Sequence, residues 1–150
     1  MLNVGDKAPD FSLKDQKGMD FRLSSLFGKK NIVLYFYPKD GTAGCTKEAC
    51  AFRDAYDVFV NSGAEIVGVS SDDFESHKKF IAEHNLPFIL LSDEKNEVRK
   101  LFGAQTAFGL VPSRVTFVID KQGIIKMAFS AMLEAKKHTD EALKVIEQLT

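Results

Sequence analysis

A chain of 150 residues, 45% of them hydrophobic and with no linker-like, repeated or low-complexity stretch, can bury one full core, so a single domain over 1–150 is expected. Its formal net charge of −1 lacks the basic excess of nucleic-acid binders, and the pairs Lys29-Lys30, Lys78-Lys79 and Lys136-Lys137 read as solvated faces, so no nucleic-acid partner is expected. No apolar run nears the roughly 20 residues that span a bilayer, and Met1 to Asp6 lacks the charged start and apolar middle of a signal peptide, so no membrane role is expected. Two cysteines are too few for a disulfide framework and point to a reducing compartment. The cytoplasm is the first expectation, and a plastid, after removal of a transit peptide, is the alternative.

Taken in order, Phe11 to Lys14 and Phe21 to Leu23 alternate as two short strands around the turn Asp15-Gln16-Lys17-Gly18. Ser24 to Gly28 reads as a turn leading into the apolar strand Ile32 to Tyr37. A helix should follow Cys45 and end near Asn61-Ser62-Gly63. Ala64 to Ser71 reads as a buried, β-branched strand. Ser71-Asp72-Asp73 can cap a helix through Glu83 whose apolar positions are Phe74, Phe80 and Ile81. Phe88 to Leu91 is a strand, and a short helix around Val98, Leu101 and Phe102 stops at Gly103. Val115 to Asp120 and Ile124 to Ser130 form a hairpin, and Ala135 to Leu149 closes the chain as a helix with Leu143, Ile146 and Leu149 inward. Strands alternating with helices predict an α/β class.

Both cysteines fall at the junction between the Ile32 to Tyr37 strand and the next helix, within PKDGTAGCTKEAC from Pro38 to Cys50. The first turn of a helix presents unpaired N–H groups and the positive end of the macrodipole, so it favours an anion, and a thiolate is one. Cys45 is thereby placed as a nucleophile. Cys50 lies five positions on, on a different face; helix geometry sets the two Cα atoms roughly 8–9 Å apart, beyond the ~7 Å reach of a disulfide. Bonding them requires the helix to unwind. Spacing alone leaves buried, inert cysteines as the default, since C-x-x-C is missing and two cysteines make no four-ligand zinc site. Thr42 reads as a helix cap, Pro38 as a strand terminator, Glu48 as an exposed first-turn carboxylate and Arg114 as a solvated charge. His77, His84 and His138 all sit in predicted surface helices. No Gly-x-Ser-x-Gly, Gly-x-Gly-x-x-Gly or P-loop occurs, so no nucleotide, flavin or metal cofactor is implied.

The flanks of Cys45 change these readings. Pro38-Lys39-Asp40-Gly41-Thr42-Ala43-Gly44-Cys45 fits Pro-x-x-x-Thr-x-x-Cys, and with Thr46 to Asp54 it resembles the peroxiredoxin Q, or bacterioferritin comigratory protein, branch of the peroxiredoxins. The resemblance extends over Val4 to Phe11, Leu86-Pro87-Phe88, Leu91-Ser92-Asp93 and Arg114 to Asp120. Members of this branch commonly read Asp-Thr-Pro-Gly-Cys where this chain has Gly41-Thr42-Ala43-Gly44-Cys45, and losing the proline while gaining a glycine should loosen the loop. The resemblance implies a thioredoxin-like fold in its peroxiredoxin variant, with a central mixed β-sheet flanked by helices. It implies a thiol peroxidase acting on hydrogen peroxide and organic hydroperoxides. Cys45 would be the attacking thiolate and Cys50 the resolving thiol that forms a disulfide with it. Thr42 and Arg114 would stabilise the peroxide oxygens, Pro38 would shield the thiolate and Glu48 would orient Arg114 as a bidentate pair. Thioredoxin or glutaredoxin would be the reductant, and the protein would be a monomer. The rivals are a thiol-disulfide oxidoreductase and a non-catalytic peroxide sensor on the same fold.

Overall fold

A computed structural model of the protein describes residues 1–105 and 113–149. Its centre is β3 (Asn31–Phe36), the apolar run that reads as a buried strand, and all six of its residues are buried. In front of it come the short strands β1 (Ser12–Lys14) and β2 (Asp20–Arg22) and a 3-10 turn at Leu23–Leu26. Behind it come α1 (Ala43–Asp54), α2 (Tyr56–Asn61), β4 (Ala64–Ser70), α3 (Phe74–His84), β5 (Ile89–Ser92) and α4 (Glu97–Leu101). The chain ends in β6 (Val115–Ile119), β7 (Ile125–Ser130) and α5 (Ala135–Gln148). The seven strands form one sheet in the order β2-β1-β5-β4-β3-β6-β7. β3, β4 and β5 run parallel, joined by helical crossovers, while β6 is antiparallel to β3, so the sheet is mixed as expected.

Period-two alternation divides the core. Val33, Tyr35 and Tyr37 face one side and pack with Cys45, Phe52, Phe59, Phe80, Phe88 and Ile146; Ile32, Leu34 and Phe36 face the other, with Phe11, Leu23, Val98, Phe102 and Phe117. Tyr35 stacks on Phe52 with ring centroids 4.7 Å apart and on Tyr37 at 5.3 Å, which seats α1 against the sheet. Gly68 of β4 makes this stack possible: a Cβ there would lie 2.6 Å from a methyl of Leu90 and 2.9 Å from the Tyr35 ring.

The element pattern agrees with the sequence reading, with local differences. The helix after Cys45 is broken at Ala55, whose φ of −98° and ψ of 2° leave the helical region, and no glycine or proline announces that break. Asp73 caps α3 by accepting a hydrogen bond from the Ser76 N–H. Phe74 and Leu101, apolar positions of their helices, are exposed, whereas His77, His138 and Arg99 are fully buried. A single histidine or arginine gives no periodic signal, so its burial follows from partners elsewhere in the chain. Among the described residues, no helix is long and apolar enough to cross a membrane. Gly68→Ala should overpack the aromatic stack and lower the unfolding free energy by about 1–3 kcal/mol, measured by urea denaturation of the reduced protein.

Candidate active site

Cys45 occupies the third residue of α1, whose N-cap is Thr42 in extended conformation. Its thiol is buried, 1% exposed, and lies against a second buried side chain, Arg114. Val115 pairs with Phe36 across the sheet, so Arg114 stands where β3 gives way to the Cys45 loop. The register therefore delivers this arginine to the cysteine across a sequence gap that hides the contact. Its Nη2 lies 3.5 Å from Cys45 Sγ, its Nη1 donates to Glu48 Oε1 at 2.7 Å, and its Nε donates to the Met132 carbonyl at 3.2 Å. Gly44 leaves the room for this approach, since a Cβ there would sit 2.8 Å from Nη2.

Thr42 occupies the N-cap position without capping through its side chain. Its hydroxyl donates to the Lys39 carbonyl at 3.1 Å, and its lone pairs meet no hydrogen-bond donor among the described residues. Pro38 is half-buried directly after Tyr37, ending the strand and walling the loop. Gly41 adopts φ +80°, which a glycine tolerates without strain, and Asp40 beside it is pinned from several sides. The Asp40 carboxylate accepts from the Tyr37 hydroxyl at 2.6 Å and the Ser76 hydroxyl at 2.9 Å, and it meets His77 Nδ1 at 2.7 Å. The Asp40 N–H donates to Asp72 at 2.8 Å, and His77 Nε2 donates to the Leu91 carbonyl at 2.9 Å. These bonds tie the loop to Tyr37, Asp72 and α3.

Glu48 is no solvated first-turn carboxylate: it is 0% exposed and lies between Arg114 and His138. It meets Arg114 through Oε1 alone, so the expected bidentate pair is a single bond. Burial pushes its carboxyl up to about 8 against the downward pull of Arg114. Burial works to lower the Arg114 guanidinium, and the facing Glu48 and Cys45 more than reverse this. His138, read as solvated, is buried under the pair; its Nε2 donates to the Ala131 carbonyl and its Nδ1 faces the Thr116 hydroxyl, both at 2.8 Å. Burial, helped by the nearby Arg114 charge, pulls it down to about 4.

Sequence reasoning misses Arg99, which belongs to no motif around the cysteines. Its guanidinium donates to the carbonyls of Tyr37, Ala104 and Ser113 at 2.6 to 2.8 Å, and so ties the start of the Cys45 loop to the residue before Arg114. Cys50 is half-buried on another face of α1, where it lines a groove of about 1110 Å³ with Ala51, Met132 and Leu133. Both thiols are free and α1 is intact through both.

A buried cysteine at a helix start under an arginine, on a mixed sheet of thioredoxin-like design, defines the class of thiol peroxidases. Residues 4–128 match the AhpC/TSA family model, and the chain belongs to that family. It is a thiol-dependent peroxidase with a peroxiredoxin fold. It is 48% identical over 149 residues to the chloroplastic peroxiredoxin Q of Populus jackii, covering 99% of this chain and 70% of that protein. It is 49% identical to that of Sedum lineare, covering 99% and 80%. Among solved structures it is similar to peroxidoxin BcpB of Mycobacterium tuberculosis, with a TM-score of 0.93 and 37% identity over 100% of this chain and 99% of that one. A PrxQ mutant of Xylella fastidiosa superposes with a TM-score of 0.89 at 28% identity, covering 99% and 97%.

Two outcomes test the geometry. Gly44→Ala should slow the reaction of Cys45 with peroxide by up to roughly 100-fold as Arg114 is pushed aside, and the strain on the buried Arg114–Glu48 pair should outweigh the gain of about 1 kcal/mol in helix propensity and lower stability. Stopped-flow kinetics beside a thermal melt separates the two. Because the fold holds His138 neutral, its contribution to stability is fully present above its unfolded value near 6.5 and is lost as pH falls through about 4. The acid limb of the stability profile should be flatter in His138→Asn than in wild type, by an amount on the order of 3 kcal/mol at most.

Proposed function

We propose that Cys45 is the peroxidatic thiolate and Cys50 the resolving thiol of a peroxidase acting on hydrogen peroxide and small organic hydroperoxides. The observation that carries this reading is the Arg114 guanidinium set 3.5 Å from a buried Cys45 Sγ at a helix start. Cys45 attacks the nearer peroxide oxygen; the free lone pairs of Thr42 accept from the peroxide O–H, and Arg114 stabilises the charge building on the leaving oxygen. Pro38 closes the pocket to water, and Glu48 holds Arg114 in place. The product is a sulfenic acid, which Cys50 attacks to form the Cys45-Cys50 disulfide with loss of water.

Glu48 lies between the two cysteines, so unwinding α1 far enough for them to meet also withdraws it from Arg114 and His138. Resolution is therefore coupled to local opening of α1. The half-buried Cys50 and the groove beside it are where a dithiol reductant of the thioredoxin or glutaredoxin type would engage. The chloroplastic relatives favour the plastid alternative over the cytoplasm, and the protein is read as a monomer.

NADPH consumption coupled to thioredoxin and its reductase tests the scheme. Wild type should turn over with hydrogen peroxide, Cys45→Ser should lose all peroxide consumption, and Cys50→Ser should accumulate sulfenic acid without cycling. Peroxide consumption by Cys45→Ser would overturn the reading. Oxidation of wild type once, with no thiol donor able to recycle it, would leave a peroxide sensor in its place.

A further inference from the structure

The centre of the site holds more ionisable groups than its burial allows to be charged together. Arg114 is the cation between them; Cys45 and Glu48, at 1% and 0% exposure, are both able to be anions against it. With both ionised and His138 neutral, each added anion would be held out of water at a desolvation cost of several kcal/mol per ion. The two oxygens of Glu48 are in unlike surroundings, and this singles one of them out for a compensating proton. Glu48 Oε1 is satisfied by Arg114, whereas Oε2 is buried with no hydrogen-bond partner among the described residues and lies 3.6 Å from His138 Nδ1. The Ala131 carbonyl can only accept, so His138 Nε2 carries a hydrogen and Nδ1 of the neutral ring is an acceptor, facing Oε2 and the Thr116 hydroxyl.

We propose that the Glu48–His138 pair holds one proton while Cys45 is a thiolate and gives it up when Cys45 is oxidised, so that Arg114 exchanges a thiolate partner for a carboxylate. The inference rests on the peroxidase reading above. Cys45 Sγ donates an electron pair to the nearer peroxide oxygen; the S–O bond forms, the O–O bond breaks, and the leaving oxygen takes its electron pair and needs one proton. Thiolate, carboxylic acid and hydroperoxide become sulfenic acid, carboxylate and alcohol or water, with charge and atoms balanced. Once the sulfur is neutral, Arg114 has lost its other anion, and ionisation of Glu48 restores the balance.

Burial pushes Glu48 up to about 8 and His138 down to about 4, so within the pair it favours the carboxyl as the holder of the proton. Two further titratable groups act on the pair. Tyr35 of β3 stays a neutral phenol, because burial raises it far above its ordinary value, and Glu134 before α5 acts on His138 in the sense opposite to Arg114.

Infrared difference spectra of Cys50→Ser, recorded on adding hydrogen peroxide, test this with Glu48 and His138 in place. The expected result is loss of a protonated-carboxyl band and gain of a carboxylate band, absent from Glu48→Gln/Cys50→Ser and shifted in His138→Asn/Cys50→Ser. A second readout is proton uptake, followed with an indicator dye at neutral pH after ultraviolet absorbance has shown the thiolate. Uptake per sulfenic acid should be near zero in Cys50→Ser and near one in Glu48→Gln/Cys50→Ser. A dimedone adduct on Cys45 without any carboxyl change would overturn the inference and leave the peroxidase standing. Absence of the adduct would overturn both.

Discussion

A guanidinium in a pocket nearly closed to water needs negative charge beside it, and Arg114 has two acids to draw on, Cys45 at one amino group and Glu48 at the other. Much of the surrounding architecture serves this one contact. The β3–β6 register brings residue 114 to the strand end, Gly44 clears the path to Sγ, and the Met132 carbonyl holds the third guanidinium nitrogen. Because the guanidinium is shared between two acids, its hold on the sulfur depends on how much charge the carboxyl carries, and that is set by burial more than by sequence.

Two buried histidines steady the two halves of the site. His77 on α3 grips the Cys45 loop through Asp40, and His138 on α5 closes the pocket behind Glu48 and Arg114. Each uses Nε2 to donate to a backbone carbonyl, Leu91 or Ala131, which fixes the ring and leaves Nδ1 for the site. Arg99 adds a third restraint by tying Tyr37 to Ser113, the residues that precede the Cys45 loop and Arg114. The loop thus stays defined although Ala43 stands where members of the branch commonly carry proline.

The sheet and its helices were legible because β3, β4 and β6 are short apolar runs and α5 has a clear helical period; the motif around Cys45 made Thr42, Glu48 and Arg114 legible through resemblance. What could not be read is what depends on long-range contact. Nothing local distinguishes His138, buried against Thr116 and Phe129, from His84 on the same kind of helix. Glu48 reads from sequence as a solvated first-turn acid, but it is the sixth residue of α1, buried where α5 packs beside that helix. Arg99 sits among lysines and acids in a five-residue helix, and its three carbonyl partners come from three other places in the chain.

The position of Glu48 between Cys45 and Cys50 binds chemistry to motion. In the intact helix it holds Arg114 beside Cys45, and the same burial resists the unwinding that lets Cys50 reach Cys45. Oxidation changes the balance by removing the thiolate, so Arg114 then depends on Glu48 alone. A carboxylate formed at that moment would hold α1 closed more tightly through Arg114, yet it also gains far more from solvation if the helix opens than a neutral acid does. The second effect falls on Glu48, which travels with α1, while Arg114 stays before β6 and His138 on α5. On that proposal, the proton given up in the first step leaves a charge on Glu48 that becomes, after that step, a reason for the helix to yield to the second.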